Sequence, residues 1–168
     1  VLGGASDERL HGYRNDGAAG FTPLTGTDDP FDGLNVGPGS RPSFGDLDDD
    51  GDLDMMVGET WHNLSVFEND GAGGFTQLTG ADHPFRLGLG PSSAPTFINL
   101  NNDSYLDLVI GFNDGTLRSY IYDSTTNYFT YWSDTSTPFY GLDFGDDSVP
   151  SSVDLDGDGD LDLVVGAR

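Results

Sequence analysis

Three markers recurring at one spacing, short aliphatic runs closed by glycine and a surplus of turn formers predict an all-β fold of three tandem four-stranded β-propeller-type blades, part of a larger ring or repeat array. The first marker is PSFGDLDDDGDLDMMVG (42–58), PTFINLNNDSYLDLVIG (95–111) and PSSVDLDGDGDLDLVVG (150–166), with starts 53 and 55 residues apart. The second is YRNDGAAGFTPL (13–24), FENDGAGGFTQL (67–78) and IYDSTTNYFTYW (121–132), spaced by 54. Pro30-Phe31, Pro84-Phe85 and Pro138-Phe139 repeat on the same 54. The chain divides on this period into residues 1–58, 59–111 and 112–168.

Within each period the elements follow in order. An acidic loop (46–54, 99–107 or 154–162) leads into a short aliphatic strand (Met55–Val57, Leu108–Ile110, Leu163–Val165) ending at Gly58, Gly111 or Gly166. Such runs suit a strand buried on both faces. An alternating segment such as Ser65-Val66-Phe67-Glu68 follows, then Asn69-Asp70-Gly71, a hairpin signal because glycine and asparagine tolerate positive φ. A strand from Phe75 to Leu78 and a Gly/Pro-rich connection complete the period. No stretch sustains a helical period. Val1-Leu2-Gly3-Gly4-Ala5 lines up with Val164-Val165-Gly166-Ala167-Arg168, so the sequence reads as three periods cut mid-repeat. Either it is a piece of a longer array, or copies join through their blade edges into a ring or filament.

The acidic loops are the chemical signal. Asp46, Asp48, Asp50 and Asp54 occupy loop positions 1, 3, 5 and 9, with Gly51 at 6 and Asp52 at 7; Asp154, Asp156, Asp158 and Asp162 match, with Gly159 and Asp160. Alternate carboxylates on a tightly turned loop converge on one point, position 7 offers its backbone carbonyl, and hard oxygen ligands of flexible number suit Ca²⁺. An EF-hand would need a bidentate Glu at position 12, where Val57, Ile110 and Val165 stand in strand patterns. The middle loop (Asn99, Asn101, Asp103, Tyr105, Asp107) has two fewer charges and Ser104 in place of glycine. It reads as a weaker site or as a metal-free turn held by its asparagines. Two strong calcium sites and one weak or degenerate one are expected.

D-x-D-x-D-G-x-x-D between strands, followed by an aliphatic run and Gly, resembles the FG-GAP/VCBS repeat of integrin-α-like propellers and many secreted microbial proteins; Phe44-Gly45 and Gly166-Ala167 carry part of the name, with Arg168 where proline is usual. The resemblance covers essentially the whole chain. It implies propeller blades with Ca²⁺ in a hairpin loop of each, stabilising rather than catalysing. Adhesion receptors, lectins and accessory modules of polysaccharide-degrading enzymes share the repeat, so it fixes fold and metal better than ligand.

Composition narrows the function further. The 168 residues carry 29 acidic against six basic side chains, a formal charge of −23, with 26 Asp, three Glu, six Arg and no Lys. Such a chain repels nucleic-acid phosphates and anionic membranes, and no apolar run is long enough to span a bilayer. The absence of cysteine excludes disulfides, thiolate metal sites and a cysteine nucleophile. His11, His62 and His83 sit at non-equivalent repeat positions, and no nucleophile elbow or phosphate loop appears, so no enzyme activity is expected. Trp61, His62, Tyr131 and Trp132 are the candidate ligand residues; their rings either stack on sugars or pack between blades. Asn63-Leu64-Ser65 and Asn102-Asp103-Ser104 are N-glycosylation sequons, of which Asn63 is the candidate acceptor. Weak calcium loops fill at extracellular calcium levels, which places the chain outside the cell or on its surface. The expected function is a non-catalytic, calcium-stabilised structural or adhesive building block that self-associates. A glycan-binding module, with a glycan or surface protein as ligand, is the alternative. An accessory domain of a polysaccharide-degrading enzyme is the third reading.

Overall fold

The computed structural model describes residues 8–17, 20–60, 64–85 and 92–168. Trp61, His62 and Asn63 lie outside the described residues. Among the described residues, twelve strands and two 3-10 turns (Gly26–Asp28 and Gly80–Asp82) are seen, and the strand pairing is antiparallel. Strands β1 (Tyr13–Asn15) and β2 (Phe21–Pro23) form a two-stranded sheet. A four-stranded meander follows from β3 (Arg41–Gly45), β4 (Asp54–Gly58), β5 (Ser65–Asn69) and β6 (Phe75–Gln77). A second meander holds β7 (Ala94–Ile98), β8 (Asp107–Gly111), β9 (Leu117–Asp123) and β10 (Tyr128–Tyr131). The last pair is β11 (Val149–Val153) with β12 (Asp162–Gly166).

The fold is all-β, as the sequence predicts, but it is not three four-stranded blades. Two sheets have four strands and two have two, and among the described residues they close into no barrel or ring. The period can be counted from any phase, and the strand pairing shows which phase is structural. Each complete sheet consists of an inner pair flanking an acidic loop and the outer hairpin that follows it. Counted this way, among the described residues β1–β2 is an outer hairpin and β11–β12 an inner pair, each a two-stranded sheet. The three outer hairpins are built alike. Leu24, Leu78 and Trp132 donate their backbone N–H to Gly12, Val66 and Ser119 respectively, at 2.8–2.9 Å.

The sheets stack in chain order, and alternation along β4 explains how. Met55 and Val57 face one way, into a cluster with Val36 and Phe67 on which Leu10, Phe31 and Leu34 pack. Met56 faces the other way, joining Phe85, Phe97, Leu108, Ile110, Tyr120 and Phe129 between the two meanders. Val109 and Ile98 in turn meet Phe139, Leu163 and Val165 across the gap to β11–β12. Both faces of β4 and β8 are therefore covered, which is why the runs 55–57 and 108–110 are apolar without a break. The Pro-Phe repeats supply one ring to each gap: Phe31, Phe85 and Phe139. Phe85 stacks on Phe129 with centroids 5.0 Å apart. Glycine at the strand end permits the stacking. A Cβ on Gly58 would lie 2.0 Å from the Ser93 carbonyl oxygen, and one on Gly111 would lie 2.2 Å from that of Ser148.

Candidate metal centre

The acidic loops join the first and second strand of each inner pair. Glycine at position 6 makes the sharp turn, with φ of 96° at Gly51 and 98° at Gly159, where an L side chain is disfavoured. The backbone then threads its N–H groups onto the carboxylates of alternate residues. Asp46 Oδ2 accepts from Gly51 at 3.0 Å, Asp48 Oδ1 from Asp50 at 3.2 Å and Asp50 Oδ1 from Asp52 at 2.9 Å. Loop 154–162 repeats the pattern, with Gly159 onto Asp154 at 3.2 Å, Asp158 onto Asp156 at 3.2 Å and Asp160 onto Asp158 at 2.9 Å.

These bonds aim the carboxylates inward. Asp46, Asp48 and Asp54 each place an oxygen within 4.8 Å of the others, and so do Asp154, Asp156 and Asp162. Asp50 and Asp158 are not in those triads, and Asp52 and Asp160 contribute at most a backbone carbonyl by position. The described ion pairs (Arg14–Asp16, Arg118–Asp114 and Arg168–Asp147) lie outside all three loops. Asp46 Oδ1 is buried with no hydrogen-bond partner, an orphaned acceptor facing other acceptors. Burial pushes the Asp54 carboxyl above the ordinary carboxylate range, and the charges of Asp48 and Asp50 add to it. Burial raises Asp48 as well, followed by repulsion from Asp50. A hard divalent cation fits this donor set because it gives the orphaned oxygen a partner and offsets charge that nothing else in the loop offsets.

The middle loop solves the same problem with less charge. Asn99 donates its side-chain amide to the Asp103 carbonyl, and Asn101 Nδ2 donates to Asp103 Oδ2 at 2.8 Å. Asn102 N–H closes onto Asn99 Oδ1 at 2.7 Å, and Tyr105 N–H onto Asp103 Oδ1 at 2.8 Å. The amide groups thus take up hydrogen bonds within the exposed loop, and only Asp103 and Asp107 bring charge.

Position 9 has a role that the sequence reading missed. Asp54 accepts from Leu47 N–H at 2.9 Å and from Asn69 N–H at 2.8 Å, tying the loop to the end of β5. Asp107 does the same with Leu100 at 2.8 Å and Tyr122, on β9, at 3.0 Å. Both side chains are fully buried. Burial raises Asp107 as it does Asp54. No sequence signal marks this role, because it depends on which strand-end amides the sheet leaves unpaired.

Of the ligand candidates, Tyr131 is exposed and Trp132 is half-buried, its Nε1–H donating to Asp134 Oδ1 at 3.2 Å. Both line an open cleft of about 250 Å³ with Tyr140, Asp114, Arg118 and Asp134. Asn102, of the second sequon, sits in the middle loop with φ of 59°. A family model described as an FG-GAP-like repeat matches residues 46–110 and again residues 99–165. No curated protein and no solved structure gives a significant match.

Proposed function

The chain belongs to the FG-GAP-like repeat family, and from that premise we propose that it is a non-catalytic, calcium-stabilised module serving as a structural or adhesive building block of an extracellular assembly. The observation that carries this reading is the duplicated carboxylate triad, Asp46–Asp48–Asp54 and Asp154–Asp156–Asp162, built by the same backbone bonds in two loops 108 residues apart. Calcium there supplies charge neutralisation: two ions take the formal charge from −23 to −19. The chain's own residues supply the rest. The position-1 and position-3 carboxylates hold the ion, glycine turns the loop, and the position-9 aspartate anchors the loop to its sheet. Repeats of this family are typically structural. Extracellular calcium levels fill loops of moderate affinity, which supports placement outside the cell, and among the described residues no helix is long and apolar enough to cross a membrane.

Calorimetric titration of chelated protein with CaCl₂, paired with melting in calcium and in EDTA, tests this. Two ions per chain are expected, with the middle loop silent. Each site saturated a hundredfold above its Kd adds about 2.7 kcal/mol. A flat titration with an unchanged melting temperature refutes it.

A second reading, glycan binding, is favoured by the cleft in which exposed Tyr131 lies beside Trp132, Tyr140 and the charged groups of Arg118 and Asp134. Aromatic faces with flanking polar groups suit sugar rings. Binding on a glycan array that is lost with Trp132→Ala supports it, and an array with no hits sinks it.

A further inference from the structure

We infer that the cleft between the two four-stranded sheets, beside loop 46–54, receives an arginine side chain presented by a partner protein. The inference goes beyond the building-block reading by giving adhesion a partner chemistry, and it does not depend on whether the loops hold calcium.

Both walls of the cleft belong to the four-stranded sheets. The β5–β6 hairpin contributes Glu68 and Thr76, which stand opposite one another, and the β9–β10 hairpin contributes Tyr122, Asn127 and Tyr128. The space between them holds about 640 Å³. Two hydrogen bonds across the gap set its width: Phe129 N–H donates to the Pro84 carbonyl at 2.9 Å, and Tyr128 Oη donates to the Ala81 carbonyl at 3.0 Å. Leu47 and Leu78, which pack on the core between the sheets, form an apolar floor with Pro84. The cleft is therefore preformed, and its volume lies in the range of sites that enclose a ligand.

The hydrogen-bonding character of the walls selects the ligand. Tyr122 Oη gives its hydrogen to Asn127 Oδ1 at 3.2 Å, and Tyr128 Oη gives its own to Ala81, so towards a ligand both phenols can only accept. Asp48, Glu68 and Asp82 add three carboxylates, and among the described lining residues none is basic. Neither Glu68 nor Asp82 has a side-chain hydrogen bond or ion pair among the described residues, so their charge is uncommitted. Burial, followed by repulsion from Asp48, Tyr105 and Asp123, raises the Tyr122 phenol, which therefore stays neutral. The polar groups of the cleft thus ask for donors and for positive charge at once.

A guanidinium answers both demands. It carries only donors and a fixed positive charge, and its plane stacks on aromatic rings such as those of Tyr122 and Tyr128. The chain makes the same pairing within itself, where the Arg118 guanidinium carbon lies 4.1 Å from the centre of the Phe112 ring. The aliphatic stem of arginine suits the floor of Leu47, Leu78 and Pro84. A sugar is served worse, because its hydroxyls also present acceptors that these walls do not match. A small guanidinium compound would leave much of the cleft to water, whereas the backbone and neighbours of an arginine in a polypeptide fill it. The formal charge of −23 steers such a cationic segment towards the chain.

The test is a titration of the chain with the blocked tripeptide acetyl-Gly-Arg-Gly-amide, followed by amide NMR in saturating CaCl₂ and again in EDTA. Saturable shifts centred on Glu68, Thr76, Asp82, Tyr122 and Asn127 are expected in both conditions. The lysine tripeptide is expected to bind more weakly, and the neutral citrulline tripeptide to leave the spectrum unchanged. Glu68→Gln combined with Asp82→Asn, both at exposed positions, is expected to weaken the arginine tripeptide about tenfold or more. Asp28→Asn combined with Asp32→Asn removes the same charge outside the cleft and is expected to weaken it by less than about twofold. Equal binding of the arginine and lysine tripeptides, with shifts spread over the acidic loops, is general counterion attraction and overturns the inference. Binding seen only in EDTA puts the peptide in the calcium loops and overturns it too. Agmatine bound as tightly as the tripeptide makes the ligand a small guanidinium compound, and cleft shifts from a neutral oligosaccharide but not from the tripeptide make it a sugar; either result overturns a protein partner. Peptide binding in the cleft of a chain that takes up no calcium sinks the calcium reading and leaves this one.

Discussion

Replacing Gly111 by alanine puts a methyl group where two sheets meet. Its Cβ would lie 2.2 Å from the Ser148 carbonyl oxygen, 2.8 Å from the Ser148 carbonyl carbon and 2.7 Å from Pro150 Cδ. None of these atoms belongs to a flexible side chain that can swing aside. The Ser148 backbone is also tethered, because its N–H donates to the Phe112 carbonyl at 3.0 Å. Relief therefore requires the sheets to separate. Overpacking of this kind costs about 1–3 kcal/mol, and loss of the tether adds about 0.5–1.5 kcal/mol. At 2–4 °C per kcal/mol for a chain of this size, the melting temperature falls by about 3–18 °C. Gly166→Ala is the internal control, since its Cβ meets nothing closer than the Val149 carbonyl oxygen at 3.8 Å, an ordinary van der Waals contact. In dilute, monomeric protein it is expected to be neutral or slightly stabilising, by up to about 1 kcal/mol through the unfolded chain. Thermal melts of both variants in saturating calcium decide the matter. A Gly111→Ala protein that melts with the wild type, or equal losses in both variants, refutes the close-stacking account of the strand-end glycines.

Asp107→Ala leaves the N–H groups of Leu100 and Tyr122 without their acceptor; at about 1–3 kcal/mol for each buried unsatisfied group the loss is about 2–6 kcal/mol, read from urea midpoints. Asp46→Ala is expected to remove one calcium ion from the calorimetric stoichiometry while loop 154–162 still fills, since the two triads share no residue. Chelated protein should lose stability as pH rises. Burial holds Asp54 and Asp107 above the ordinary carboxylate range, so the folded chain keeps protons that the unfolded chain has released; stability is full below the unfolded value and declines through the folded one. Urea midpoints in EDTA are expected to fall as pH rises above the ordinary carboxylate value of about 4, less so in Asp107→Asn, and a midpoint that rises with pH there contradicts the burial argument. Asp70 and Asp114, held low by backbone and Thr116 hydrogen bonds respectively, act in the opposite sense only at more acid pH.

Much of the fold could be read directly because one chemical pattern returns three times. The aliphatic runs at Met55 and Leu108 became strands buried on both faces, and that at Leu163 a strand that packs Leu163 and Val165 against Ile98 and Val109 while Val164 stays exposed. The hairpin at Asn69-Asp70-Gly71 and the turns at Gly51 and Gly159 follow from local backbone preferences that no tertiary contact has to override. Phase was harder to read. A periodic sequence does not say whether the outer hairpin belongs to the inner pair before it or after it, because that choice is made by edge pairing between Met55 and Phe67, not by any local residue. The connection 30–40 illustrates a second blind spot. Its glycines and prolines suggest a linker, yet Val36 is completely buried and Phe31 fills an inter-sheet gap. The inward aim of Asp46, Asp48 and Asp54 was legible from alternation. The dual grip of Asp54 and Asp107 on two strands was not, since it depends on which amides the sheet leaves over.

The three acidic loops occupy the same place in successive sheets, and stacked sheets lie about 10 Å apart. That spacing is close to the distance over which physiological salt screens a charge, about 8 Å. At low ionic strength, where screening reaches further, each loop feels the charge state of its neighbour, and the electrically quieter middle loop, with its asparagines, sits between two fully charged ones. Filling either outer loop there lowers the negative potential at its neighbour most, and less at the loop beyond. The first ion therefore opposes the second, and uptake of the pair is spread over a wider range of calcium than two independent sites would give. Raising monovalent salt shortens this reach until the loops behave as strangers, so the steepness of cation uptake becomes a ruler for how closely the sheets are stacked.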